Sequence, residues 1–406
     1  MHNLLVAQSG GPTAAINATL VGILQSALIS GKINKVYGAK NGIEGVINGC
    51  LVDLSFLLGN TQILDTLMYT PASAMGTCRY KLPHWDQEEA VYKIIVDYLN
   101  KYNIKYFIYI GGNDSMDTVN KLSGYCELNH HDIVIIGAPK SIDNDLALTD
   151  HSPGFGSAAK YIATTVSEVA YDINSYDIPA VCIIEIMGRN TGWLAAASAL
   201  ARIDGGAGAD LIYLSEKTFY LERFLSDVRD KLTQKRSVLI AVSEGIRYCN
   251  GRYVSEQTTD SETDDFGHKP ISGAARILGQ IVRNKIGCKV RSIELNLMQR
   301  SAAHISSEAD IMEAFLIGQK ALYCALEGET GRMVAIKRLS SQPYRINFTT
   351  VPVKEIANIE KKVPMNWISV SGNYITKEFM MYLTPLIQGE VNIKFTNGLP
   401  KQYKIY

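Results

Sequence analysis

No stretch of this sequence approaches the roughly 20 apolar residues that span a bilayer, so no membrane-crossing helix is expected. Forty basic residues cancel forty acidic ones, which leaves no global field to gather nucleic acid or an anionic membrane surface. The opening MHNLLVAQSGG has neither a basic n-region nor a long apolar core, so it does not read as a signal peptide. No CxxC pair occurs. The seven cysteines (Cys50, Cys78, Cys126, Cys182, Cys249, Cys288 and Cys324) are scattered and odd in number, which argues for reduced thiols in a cytoplasmic protein, many of them core residues. Both GxGxxG and the Walker A pattern are missing, so neither a dinucleotide fingerprint nor a P-loop is supported.

What is present is a rhythm. Short apolar runs at 3–8, 105–110, 133–138, 180–186, 210–214, 237–242, 289–296 and 333–337 read as buried strands. Helical periodicity fills 13–29, 115–123, 157–171, 191–203, 221–235, 271–286 and 308–327. This alternation predicts an α/β fold with mostly parallel sheets covered by helices. Residues 246–269 lack apolar periodicity and are acidic at TTDSETDD, and read as a solvated surface excursion. No short-period repeat or linker is seen, which favours two stacked α/β units with chain crossovers.

In such sheets ligands bind beyond the carboxyl ends of the strands, so the loops there carry the chemistry. Ser9-Gly10-Gly11-Pro12-Thr13 opens the first helix, and its glycines let backbone approach an anion. A structural glycine turn reads equally well. Gly111-Gly112-Asn113-Asp114-Ser115 places a carboxylate and an amide beside two glycines, where a plain helix N-cap is the alternative. The richest loop is Pro139-Lys140-Ser141-Ile142-Asp143-Asn144-Asp145. It holds what phosphoryl transfer to an alcohol requires: a carboxylate to take a proton, a second for a hard cation, and a lysine to balance charge. An Asx-rich turn is the rival reading. Met187-Gly188-Arg189 and Ser243-Glu244-Gly245 follow two further strands. Arg79, Arg291 and Arg300 complete a set of arginines that could meet phosphate or form surface ion pairs.

Taken in order, SGGPTAAIN at 9–17, MGTCR at 75–79, GGNDS at 111–115, PKSIDND at 139–145, IEIMGR at 184–189, SEG at 243–245 and the arginines at 291 and 300 resemble the phosphofructokinase family. The resemblance implies two Rossmann-like α/β/α sandwich domains with the active site in a cleft between them. It implies a donor domain over 1–139 and about 301–345, and a sugar-phosphate domain over 140–300 and about 346–406. Asp143 would be the general base toward the 1-hydroxyl of fructose 6-phosphate. Ser141 and Ile142 would lie at the substrate, and Asn113 and Asp145 near Mg²⁺. Met187, Gly188, Arg189 and Glu244 would line the sugar site, and Arg300 would bind the 6-phosphate. Arg291 would reach in from a neighbouring subunit, implying a homodimer or homotetramer. Gly11 and Arg79 would hold the donor phosphates.

Asp114 and Lys140 speak to the donor. ATP-using members of the family usually carry glycine at Asp114 and often at Lys140, whereas pyrophosphate-using members resemble this chain. The physics agrees, since a carboxylate about 4 Å from a phosphate charge repels it by roughly 1–4 kcal/mol at dielectrics of about 80 to 20. The expected reaction is therefore reversible Mg²⁺-dependent transfer from pyrophosphate, serving glycolysis or gluconeogenesis. An ATP-dependent enzyme is the alternative, and a non-catalytic phosphate-binding subunit a lower one. Asn113, Ala180 and Leu297 depart from well-known ATP-dependent members, which leaves sedoheptulose 7-phosphate as a second acceptor. Val21 and Gln25 stand where effector-responsive relatives place arginines, so control by ADP or phosphoenolpyruvate is not expected.

Overall fold

A computed structural model describes residues 1–257 and 272–405. The chain divides into two compact units. Unit 1 takes Met1–Ser157, Arg300–Glu360 and Gly389–Tyr406, and unit 2 takes Ala158–Gln299 and Lys361–Gln388. The strands are β1 (His2–Gln8), β2 (Ile33–Ala39), β3 (Leu51–Asp53), β4 (Ile104–Gly111), β5 (Val134–Pro139), β6 (Ala180–Ile186), β7 (Leu211–Tyr213), β8 (Ser237–Ser243), β9 (Lys289–Glu294), β10 (Arg332–Ser341) and β11 (Tyr344–Pro352). A two-residue hairpin pair at 395–400 stands apart.

Unit 1 is built on a seven-stranded sheet in the order β11-β10-β5-β4-β1-β2-β3. Its centre is parallel, while β11 and β3 are antiparallel edge strands. Successive residues of a strand face opposite sides of a sheet, and the core follows that rule. Leu4, Val6, Ile108 and Ile110 join one apolar cluster, with Ile16, Leu20 and Ile317 from helices Ile16–Ser30 and Glu308–Leu326. Leu5, Ala7, Phe107 and Tyr109 join the other, with Tyr92, Ile95 and Val119 from helices Trp85–Lys101 and Asn113–Leu128. Covering both faces is what lets β5 be apolar throughout. Helices 16–30 and 308–326 meet backbone to backbone. A Cβ on Gly22 would overlap the Phe315 carbonyl, and one on Gly318 would overlap that of Thr19.

Unit 2 carries a four-stranded, all-parallel sheet in the order β7-β8-β6-β9. Val181, Ile183, Val238, Ile240 and Val242 pack with Phe224, Val228, Ile277 and Leu278 of helices Leu221–Gln234 and Ala274–Ile286. An aromatic group of Trp193, Trp367, Phe379 and Tyr382 ties the 361–388 segment to this unit.

The α/β class with mostly parallel sheets is as expected. The unit boundaries fall elsewhere than the sequence suggested. Residues 140–157 stay with unit 1 because their backbone is pinned to its strands: Lys140 N donates to Gly111 O (2.9 Å) and Asp150 N to Ile336 O (2.9 Å). Residues 346–352 stay there because β11 pairs with β10. The expected helix over 191–203 is a short α-helix, Trp193–Ala197, followed by a 3-10 segment, Ser198–Gly205. The acidic excursion of 246–269 falls from residue 258 onward outside the described residues. Before that, Tyr253 pairs as an isolated bridge with Arg247. Among the described residues no helix is long and apolar enough to cross a membrane. All seven cysteines are free, with Cys78, Cys126, Cys182 and Cys324 buried.

Candidate active site

Strands β1, β4 and β5 are parallel neighbours, and Gln8 pairs with Ile110 while Gly111 pairs with Pro139. The loops that follow them therefore emerge side by side at one edge of the sheet, where ligands of such folds bind. Backbone bonds knit them together. Ser9 N donates to Ile110 O (2.9 Å) and Gly10 N to Cys78 O (3.2 Å). Thr77 Oγ1 donates to Gly10 O (2.6 Å), which brings the Arg79 segment alongside.

Lys140 lies at the bottom of this group. It is almost fully buried, and its Nζ donates to Gly11 O at 2.6 Å. A Cβ on Gly10 would come within 3.1 Å of that Nζ, and one on Gly11 within 3.3 Å of Arg300 Nη1. Gly10 also has a φ of 75°, so it meets both demands on a glycine. Burial pulls the Lys140 ammonium down to about 8, with Arg300 and Arg79 adding to that effect and Asp145 and Asp143 opposing it. Arg300 feels the same field: its pKa is lowered by burial and by Arg79, and Asp143 works against this. Gly11, Arg79, Lys140, Asp143, Asp145 and Arg300 thus form one interacting group of three cations and two carboxylates beside a bare backbone.

The 140–145 loop is internally braced. Ser141 Oγ donates to Asp145 Oδ1 (2.6 Å) and accepts from Asp143 N (3.2 Å). Ile142 is buried beneath it. Asn144 adopts a left-handed conformation with φ of 51°, and its Oδ1 accepts from Ser152 N at 3.1 Å. Ser141 is therefore a brace for Asp143 and Asp145. Asp114 stands exposed in the first turn of helix Asn113–Leu128, and its side chain makes no ion pair or hydrogen bond among the described residues.

Asn113 is where the arrangement departs from expectation. Its Nδ2 donates to Ile359 O (2.8 Å) and its Oδ1 accepts from Asn358 N (2.6 Å). Both ends of the amide hold backbone, so the side chain clamps the 358–359 segment, and a cation would have to share the Oδ1 that already accepts from Asn358 N. The sequence offered no signal for this, because the partners lie 245 and 246 residues away. Among the described residues no three His, Cys, Asp or Glu side chains cluster to hold a metal unaided. Asp145, half-buried beside Asp143 and Lys140, fits a cation that also takes oxygens from phosphate, as Mg²⁺ does.

A second network, unmarked in the sequence reading, stands behind the loop. His151 donates from Nδ1 to Asp150 Oδ2 (2.8 Å) and from Nε2 to Glu313 Oε2 (2.5 Å). Tyr344 OH donates to Glu313 Oε1 (2.6 Å), and Arg338 pairs with Asp150 (2.9 Å). Burial lowers the imidazole pKa, but the two carboxylates outweigh it and raise the value to about 9.

Unit 2 presents its own loops at its own strand ends. Glu244 N donates to Ile186 O (2.9 Å), and Glu244 Oε1 accepts from Gly188 N (3.2 Å). Ser243 Oγ donates to Gly188 O (2.6 Å), and Met187 N donates to Gln299 Oε1 (3.1 Å). Gly188 has φ of 132°, and a Cβ on Gly245 would overlap the Arg189 carbonyl. Met187, Gly188, Arg189 and Glu244 are thereby brought together as expected. Burial raises the Glu244 carboxyl pKa, against the Gly188 N–H and the Arg189 charge. Arg291 lies apart, exposed on β9 with its guanidinium 4.0 Å from Asp172. Ala180 begins β6, and Leu297 is exposed. Val21 is buried in the first helix and Gln25 half-buried.

A cation-rich group with two adjacent carboxylates beside glycine loops at the ends of parallel strands is the equipment of a phosphoryl-transfer enzyme. The phosphofructokinase family model matches residues 3–325, and the chain belongs to that family. Among its full-length relatives, the pyrophosphate–fructose 6-phosphate 1-phosphotransferase of Halomonas elongata is 38% identical, covering 100% of this chain and 96% of that protein. The protein of the same name from Xanthomonas campestris is 39% identical, covering 98% and 95%. The crystal structure of the pyrophosphate-dependent phosphofructokinase of Nitrosospira multiformis superposes with a TM-score of 0.89. It is 34% identical and covers 99% of this chain and 96% of that one.

Proposed function

We propose that this chain catalyses reversible transfer of a phosphoryl group from pyrophosphate to the 1-hydroxyl of fructose 6-phosphate, giving fructose 1,6-bisphosphate and phosphate. The observation that carries the reading is the buried Lys140, held against Gly11 between two arginines and two carboxylates. A compact, highly charged donor suits such a site, because cations there meet phosphate oxygens with little water between them.

The steps follow from the residues. Asp143 takes the proton from the 1-hydroxyl as that oxygen attacks phosphorus. The P–O–P bond breaks, and Lys140, Arg79 and the N–H groups around Gly11 receive charge on the departing phosphate. Mg²⁺, held by Asp145 together with phosphate oxygens, would neutralise charge on the donor. Ser141 keeps Asp145 and Asp143 in place. Met187, Gly188, Arg189 and Glu244 bind the sugar. Arg300 binds the 6-phosphate of the sugar, and its guanidinium beside Gly11, Arg79 and Asp143 supports a phosphate-binding role. Arg291 serves a neighbouring subunit of a homodimer or homotetramer, which matches its exposed position. The free cysteines agree with a cytoplasmic setting.

Phosphorus NMR of the purified protein with fructose 1,6-bisphosphate, phosphate and Mg²⁺ tests the proposal. Appearance of pyrophosphate supports it. Its absence, with the bisphosphate untouched, overturns it.

A further inference from the structure

After β11 the chain turns through Val353–Glu355 and crosses two of the donor-side loops. Val353 and Ile356 are buried in one apolar cluster with Leu146. At one end of the crossing, Asn113 grips the backbone of Asn358 and Ile359. At the other, Glu360 forms an isolated antiparallel bridge with Leu146, the residue after Asp145. Asn358 takes a φ of 64°, and its Nδ2 donates to Asp117 Oδ1 at 3.4 Å. The segment therefore joins the loop after β4 to the loop after β5, which leave adjacent strands at Gly111 and Pro139.

We propose that Ile356–Glu360 is a strap that limits the length of the phosphoryl donor, with Asn113 as its pin. This rests on the pyrophosphate reading. A donor whose reacting phosphorus lies by Asp143 and Lys140 extends along the loops beside Gly112 and Asp114. Pyrophosphate ends after one more phosphate. A nucleoside triphosphate adds a third phosphate and a nucleoside, and the strap, fastened at Asn113, Asp117 and Leu146 on either side of these loops, is the barrier proposed for that extension. Replacing Asp114 by glycine removes a charge but leaves the strap fastened. Exclusion of the longer donor thus has two parts, a charge at Asp114 and a backbone barrier held by Asn113.

The test compares wild type, Asp114→Gly, Asn113→Ala and the double variant. Asn113→Ser, a small polar side chain compatible with the first turn of the helix and too short to span both backbone partners, stands in if the alanine variant fails to fold. Amide hydrogen exchange at Asn358 reads the pin, and kcat/KM with ATP against pyrophosphate reads the barrier. Asn113→Ala is expected to speed exchange at Asn358 by more than about tenfold, while Asp114→Gly leaves it unchanged. The ATP-to-pyrophosphate ratio of the double variant is expected to exceed that of Asp114→Gly by more than about tenfold. Equal ratios with exchange accelerated overturn the barrier, and unchanged exchange overturns the pin. Wild type without pyrophosphate turnover sinks the donor reading and the strap's role in it, while the exchange result still reports on the pin.

Discussion

The Nζ of Lys140 donates a 2.6 Å hydrogen bond to the carbonyl oxygen of Gly11, 129 residues earlier in the chain. This contact joins the loops after β1 and β5 and buries a positive charge beside Gly11. Its pKa of about 8 makes the charge titratable within reach of experiment. The ammonium is present below that value and lost above it. We therefore expect kcat/KM for pyrophosphate to fall on the alkaline side with a midpoint near about 8. Lys140→Met should lower kcat/KM at neutral pH and abolish that limb. A flat wild-type profile up to pH ~10, the ordinary lysine range, contradicts the account.

Asp143 is assigned the proton. Asp143→Asn should lower kcat by about 10²–10⁴-fold while leaving the KM for fructose 6-phosphate within a few fold. Steady-state kinetics decide this. A loss under about tenfold removes Asp143 from that role.

His151 should matter to stability before it matters to catalysis. Its pKa is raised to about 9 by Asp150 and Glu313, above the roughly 6.5 of an unfolded chain. Its contribution is therefore complete below about 6.5 and is lost as pH rises through about 9. His151→Gln leaves Glu313 and Asp150 buried without the imidazolium and should cost about 3–5 kcal/mol at pH ~6. Urea unfolding at several pH values, wild type against variant, checks both sign and size. A difference between the two that grows with pH refutes the assignment.

Gly245 has no room for a side chain beside the Arg189 carbonyl. Gly245→Ala should push apart the two sugar-side loops that Glu244 and Gly188 hold together. The expected outcome is a rise in KM for fructose 6-phosphate with the KM for pyrophosphate little changed. Equal effects on both substrates would place the damage elsewhere.

How much of this was legible in the sequence depends on the range of the interaction. Strands β1, β4, β5, β6 and β8 are legible because buried parallel strands are continuous apolar runs, and the loops that follow them carry unusual polar residues. The helix Trp85–Lys101 lies outside the expected elements, although Val91, Tyr92, Ile95, Val96 and Leu99 recur at helical spacing. Strand β11 carries no solid apolar run, because its alternating half-exposed pattern is that of an antiparallel edge. Asn113, expected near Mg²⁺, also clamps backbone. The clamp and the His151–Glu313 pair both join residues more than 160 positions apart. Such contacts leave no local pattern, and only the fold reveals them.

The central claim is the donor, and one side-by-side measurement addresses it. Purified protein is given fructose 6-phosphate and Mg²⁺ with either pyrophosphate or ATP, and fructose 1,6-bisphosphate formation is followed through a coupled assay. The account predicts turnover with pyrophosphate and little or none with ATP. Turnover with ATP and none with pyrophosphate would contradict it.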